Sequence, residues 1–316
     1  MTILEEKEGI RLYLGLASES TWDRGPIAPG KYVCLSPVIG KTEKSKRENF
    51  IKLPEDPDLE IIQDSGAFCD SWPSGRLSFE EALQRQRNHA DKFEYTDRIT
   101  HRASYDLLID EVWDENHTRV KRRWTREQAE EAVDLTVQAA KFSDLNRDPG
   151  IACVQSAQGV TTDQYVNCVK QVLPFIKEGD ILGLGGWCVL GKFKRQMMPT
   201  YDQTISQVIP LAKEAGIPRV HIWGVIFPVG LGKLLWLGDY FDIQISTDSA
   251  GPSFRPNFGE WGYGSWRVKD YKRVPAAERT DERKRHVQET RDHLNNLRNY
   301  SEYYKKPDNF KEEGTK

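Results

Sequence analysis

What the chain has little of narrows the field first. Cysteine is scarce and odd in number: Cys34, Cys69, Cys153, Cys168 and Cys188, none spaced as C-x-x-C. That argues against a structural zinc built from cysteines, and it fits free thiols inside a cell. Long apolar runs are absent, and none approaches the ~18 residues of a membrane span. The N-terminal MTILEEKEG is acidic and has no apolar centre, so it does not read as a signal peptide. Neither sign of charge dominates: 45 Lys and Arg stand against 48 Asp and Glu, a net charge of −3. Any nucleic-acid surface therefore has to be a local patch. No internal repeat is visible. The expectation is a cytoplasmic protein with no membrane contact.

What is present suffices for a large core. The 316 residues are 38% hydrophobic and 29% charged, long for one ordinary domain but within reach of a single α/β barrel. Eight short apolar or β-branched runs stand out: RLYLGLA (11–17), KYVCLSPV (31–38), LEIIQ (59–63), YDLLI (105–109), IACVQ (151–155), ILGLG (181–185), VHIWG (220–224) and DIQIS (242–246). Several are apolar almost throughout, as strands of a parallel sheet buried on both faces should be. Helical patterns lie between them. SFEEALQRQRNHADKFEY (78–95) opens on a capping box of Ser78 and Glu81, and 125–143 and 161–177 begin at Thr. The pattern over 200–216 ends at Gly216 and carries Pro210, which should kink or split it. LGKLLWLGD (231–239) is short. This alternation predicts βα units, with a (β/α)8 barrel (a TIM barrel) over residues 1–250 first and an open doubly wound sheet second. Residues 251–316 change character. An aromatic, basic, Gly-rich stretch (251–273) precedes a long charged helical pattern (278–306), and this part is expected to pack on the barrel.

In a barrel, chemistry gathers where strands end. The third run ends in Asp64-Ser65-Gly66, the fourth in Asp110-Glu111, the fifth in Gln155-Ser156 and the sixth in Gly185-Gly186. The seventh contains His221 and Trp223, and the eighth runs on into Ser246-Thr247-Asp248-Ser249. An isolated Asp after a strand is as readily a turn residue, and an isolated His in an apolar strand is usually a satisfied core residue. Convergence of six strand ends on one mouth is harder to explain that way. Carboxylates with an amide and no metal ligands suit a glycosidic bond: one acid attacks the anomeric carbon while another moves the proton of the leaving base. Asp110 beside Gln155 could pair with the donor edge of a guanine-like base, and bare glycine backbone would let the flat base approach.

These residues resemble those of the tRNA-guanine transglycosylases. DSGAF (64–68) is similar to that family's DSGG signature, LIDEVW (108–113) to its FDE block, CVQSAQG (153–159) to VQGG, and LGLGGW (182–187) to IGG. HIWGVIFPVGLGKLLWLGDYFD (221–242) resembles the block that precedes the eighth strand. The blocks occur in order from about residue 59 to residue 250. The resemblance implies that Asp110 and Gln155 recognise the base, that Gly185 and Gly186 line its pocket, and that Ser65 and Gly66 leave it room. His221 and Trp223 would wall that pocket. Two departures stand out. The family's C-x-C-x-x-C…H zinc site is missing, with no cysteine after Cys188, and STDSAGPS (246–253) replaces its basic stretch. Both departures are similar to the DNA-acting, DpdA-type relatives. They imply exchange of guanine in DNA, flipped from its stack, for a free 7-deazaguanine base such as preQ0, with no cofactor and with room for a protein partner that opens the duplex.

Alignment of the FD dipeptide makes Asp242 the nucleophile. It opens its run, however, whereas Asp248 closes it with the same inward parity, so Asp248 is preferred and Asp64 becomes the general acid/base. KRRWTR (121–126), GKFKR (191–195) and 254–273 are candidate contacts to phosphates or bases. The competing expectations are a zinc-less tRNA enzyme, a non-catalytic barrel subunit that binds nucleic acid or a partner, and an unrelated sugar- or nucleoside-processing barrel.

Overall fold

A computed structural model describes residues 8–16, 31–37, 53, 56–67, 70, 75–106, 126–187, 194–249 and 279–311. Eight strands close into a parallel barrel in chain order: β1 (Arg11–Leu16), β2 (Tyr32–Leu35), β3 (Glu60–Gln63), β4 (His101–Ala103), β5 (Ala152–Ala157), β6 (Ile181–Leu184), β7 (Arg219–Ile222) and β8 (Gln244–Ser249). β8 pairs back onto β1, with Tyr13 opposite Asp248. The helices are α1 (Phe79–Lys92), α2 (Arg126–Leu145), α3 (Thr162–Val172), α4 (Lys194–Glu214), α5 (Pro228–Phe241) and α6 (Arg279–Asn295). The chain is a (β/α)8 barrel.

Local sequence explains the helix ends. Ser78 accepts from the Glu81 amide at 3.2 Å while Glu81 Oε2 accepts from the Ser78 amide at 2.8 Å, the reciprocal cap expected there. Thr161 caps α3 through the Gln164 amide. Pro210 does not split α4, which starts earlier than expected and carries both Pro199 and Pro210 inside it.

The fourth strand differs from expectation. It is His101–Ala103, not the apolar YDLLI. Its polar residues are satisfied far away in sequence. Arg102 points outward and its Nε donates to Gln63 Oε1 at 2.8 Å, while its guanidinium pairs with Asp148. His101 faces Glu60, with Nδ1 and Oε1 3.4 Å apart. β8 is also shifted, beginning two residues later than the expected run and reaching Ser249.

Inside the barrel, Tyr13, Cys34, Ile62, Ala103, Val154 and Ile181 form one buried cluster. It separates the two ends of the barrel. The helices pack outside over a larger cluster, which includes Leu294, Leu297 and Phe310 from the C-terminal region. α6 lies against β1, where the Ile10 amide donates to Leu294 O at 3.4 Å, and Arg298 holds Asp239 through two 2.7 Å bonds. No helix among the described residues is long and apolar enough to cross a membrane.

Candidate active site

Three carboxylates meet at the C-terminal mouth of the barrel. Asp64 follows β3 directly, Asp106 lies three residues beyond β4, and Asp248 sits in the last turn of β8. Each is only partly exposed, and their charges act on one another. Burial, and then the charge of Asp248, push Asp64 up to about 6; the Gly66 and Ser65 amides and Arg85 pull the other way. Burial, and then the charge of Asp64, push Asp106 up to about 7 against the opposing Ser65 hydroxyl. Cys34, buried beneath them, is raised by burial and then by Asp248 and Asp64.

The scaffold that aims these acids is built from α1 and β7. Gln86, buried on α1, donates from Nε2 to Asp64 O (3.1 Å) and to Ala103 O (3.0 Å), tying together the ends of β3 and β4. Arg85 donates to Ser65 O at 2.6 Å and pairs with Asp70, which also accepts from the Tyr105 hydroxyl at 2.7 Å. Asp248 Oδ1 accepts from the Gly224 amide at 2.7 Å and lies 3.3 Å from His221 Nε2. Gly224 reaches this position through a left-handed turn, φ +69°.

Trp223 provides a flat surface beside the acids. Its Nε1 donates to Ser156 Oγ at 3.1 Å, and its half-buried ring meets His221 edge-on at 4.4 Å. The indole crosses β6 at Gly183, where an added Cβ would lie 2.7 Å from Nε1. Gly185 plays the same part for Asp106, since a Cβ there would lie 3.0 Å from Asp106 Oδ2. Gly186 follows in a left-handed turn, φ +81°.

Several expected site residues are placed otherwise. Gln155 does not face the mouth. It points outward, and its Nε2 donates to Ala140 O (3.3 Å) and Phe175 O (3.4 Å) among the helices. β5 extends to Ala157, and the alternation of a strand gives the inward position to Ser156. Asp110 lies outside the described residues. Because β4 ends at Ala103, Asp106 is, among the described residues, the acid that reaches the mouth after it. Ser65 is 1% exposed and does not line the open site; its hydroxyl donates to Asp106 Oδ1 at 3.3 Å and accepts from the Ala67 amide at 3.3 Å. Gly66 turns the chain at φ +76°. His221 is 0% exposed, so it stands behind Asp248 rather than walling an open pocket. Asp242 caps α5 in a left-handed conformation, exposed at the opposite end of β8 from Asp248. The segments 121–125, 191–193 and 254–273 lie outside the described residues.

Asp106 and Gln86 belong to the site and were not singled out from the sequence, while Ser156 and Gly224 were read only as strand ends. Only Asp106 carried a signal, as the acid of a Tyr-Asp pair that would end a strand placed four residues earlier. Among the described residues no group of three or more His, Cys, Asp or Glu is arranged to hold a metal ion. Chemically, the mouth offers three carboxylates that accept hydrogen bonds, and two of them, Asp64 and Asp106, are raised toward neutral pH. No family model matches the chain, and no curated protein matches it.

Proposed function

We propose that the protein is a base-exchanging pentosyltransferase that replaces guanine in DNA with a 7-deazaguanine base. The observation that carries this reading is the meeting of Asp64, Asp106 and Asp248 at one mouth, the first two raised toward neutrality, beside a partly exposed indole. The ordered resemblance to the guanine transglycosylases, without their zinc ligands and basic stretch, points to DNA as the polymer.

In this mechanism Asp248 Oδ2 attacks C1′ of the flipped nucleotide. The C1′–N9 bond breaks, its electron pair leaves with guanine, and Asp64 supplies the proton that neutralises the base. The incoming deazapurine returns a proton to Asp64, and its nitrogen attacks C1′. The ester to Asp248 then breaks, restoring the carboxylate. A proton affinity of about 6 lets Asp64 give and regain that proton near neutrality. Asp106 faces the donor edge of the base in the role expected of Asp110, and Trp223 stacks on its ring.

The test is incorporation of labelled guanine or preQ0 into duplex DNA, single-stranded DNA or tRNA. Incorporation into DNA supports the reading. Uptake only by single-stranded DNA adds a duplex-opening partner. Incorporation into tRNA alone makes this a tRNA enzyme, and incorporation into none removes the exchange reaction.

A further inference from the structure

His221 lies behind Asp248, where no substrate could touch it, yet its ring nitrogens are not idle. It is 0% exposed in an apolar strand, and Nδ1 is 3.0 Å from Ser246 Oγ while Nε2 is 3.3 Å from Asp248 Oδ1. Tyr13 packs edge-on against the ring from β1, with centroids 5.6 Å apart, and Trp223 covers it from above. The ring therefore has little freedom to turn.

Proton counting fixes what it can do. A carboxylate only accepts, so contact with Asp248 Oδ1 requires a proton on Nε2. In a neutral ring Nδ1 is then an acceptor and must be served by the Ser246 hydroxyl. If that hydroxyl instead donates to Val220 O, 3.2 Å away, the ring must carry both protons. Both arrangements put a proton on Nε2. The Gly224 amide donates to the same Oδ1 at 2.7 Å. The His221 ring and the Gly224 amide thus converge on one oxygen of Asp248.

We infer that His221, set by Ser246, is a positioning residue that together with the Gly224 amide commits Oδ1 of Asp248 and leaves Oδ2 as the oxygen that attacks. This rests on the base-exchange reading for the word "attacks", but not for the hydrogen-bond arrangement. The same geometry has a purely packing interpretation, in which His221 fills the barrel under Trp223. A packing role needs no particular tautomer, and an apolar residue of similar size would serve as well.

Two measurements separate these. In the free protein labelled with ¹⁵N-histidine, the His221 signals, assigned by their loss in His221→Gln, are expected to show protonated Nε2. They should shift when Asp248→Ala removes the partner. An unprotonated Nε2, or signals indifferent to Asp248→Ala, overturns the inference whatever the reaction proves to be. With DNA and base, His221→Leu is expected to slow covalent adduct formation about 10- to 100-fold with KM little changed. His221→Gln, which can offer an amide N–H at similar reach, should recover most of that rate. Equal rates for Leu and Gln leave only packing. If His221→Leu does not fold, the Gln variant and the tautomer decide. If wild type forms no adduct but the tautomer is as expected, the functional reading fails and the positioning of Asp248 stands.

Discussion

The two ends of the barrel treat charge in opposite ways. At the N-terminal end, Glu60 meets the Tyr13 hydroxyl at 2.5 Å, Arg219 in a close ion pair, Arg11 at 3.6 Å and His101 at 3.4 Å. Hydrogen bonds from Tyr13 and Arg219 outweigh burial and hold the Glu60 carboxyl below its ordinary range. At the C-terminal mouth three acids face one another, and Asp64 and Asp106 are pushed up. One end matches Glu60 with donors and cations. Among the described residues the other keeps a like-charge excess that costs stability, the usual mark of a site whose charges are reserved for a ligand. The buried layer of Tyr13, Cys34, Ile62, Ala103, Val154 and Ile181 keeps the two apart.

Substitutions can break this contrast. The largest effect is expected at the paired end: Glu60→Ala leaves Arg219 without its partner in a mostly buried place and should cost about 3 kcal/mol in urea unfolding. A loss under about 1 kcal/mol would mean the network is ornamental. At the mouth the sign reverses. A folded carboxyl raised from 3.8 to about 7 binds its proton more tightly than the unfolded chain does. Stability therefore falls as pH rises through that window. Asp106→Asn should then stabilise the fold by about 2 kcal/mol above roughly pH 7, after allowance for screening at the open mouth, and by almost nothing below roughly pH 4. The companion Asp64→Asn gain should not add fully, because the two acids share the repulsion. Removing the clamp comes next: Gln86→Leu strips donors from Asp64 O and Ala103 O and should cost about 1–2 kcal/mol, with base exchange falling further than stability explains. The smallest effect is Gly185→Ala, where a Cβ 3.0 Å from Asp106 Oδ2 should cost about 1 kcal/mol or less and displace that carboxyl. Its readout is the pH dependence of stability, which should flatten relative to wild type.

The sequence carried the barrel because strands buried on both faces and capped helices leave local marks. RLYLGLA and ILGLG fall on β1 and β6, and Ser78 and Thr161 cap their helices as expected. It misplaced β4 because HRA is polar, and its partners Asp148, Gln63 and Glu60 come from other parts of the chain. With the strand placed too late, Asp106 was read as part of it and passed over as a site acid. Gln155 was misread for a related reason. In a strand apolar on both faces, alternation alone does not say which parity faces in, and the packing of Val154 inside the barrel settles it for Ser156. Asp64 and Asp248 were legible because each closes an apolar run. Gln86 and the Gly224 amide were not, because a helix amide and a backbone N–H acquire their partners only when the barrel closes.

The central claim is that Asp248 forms the covalent bond to the sugar. The most direct measurement is mass mapping of the protein–DNA adduct trapped on incubation with guanine-containing DNA and a 7-deazaguanine base. One deoxyribosyl adduct is expected on the peptide containing Asp248, lost in Asp248→Asn. An adduct that persists in Asp248→Asn, or that maps to Asp64 or Asp106, would contradict it.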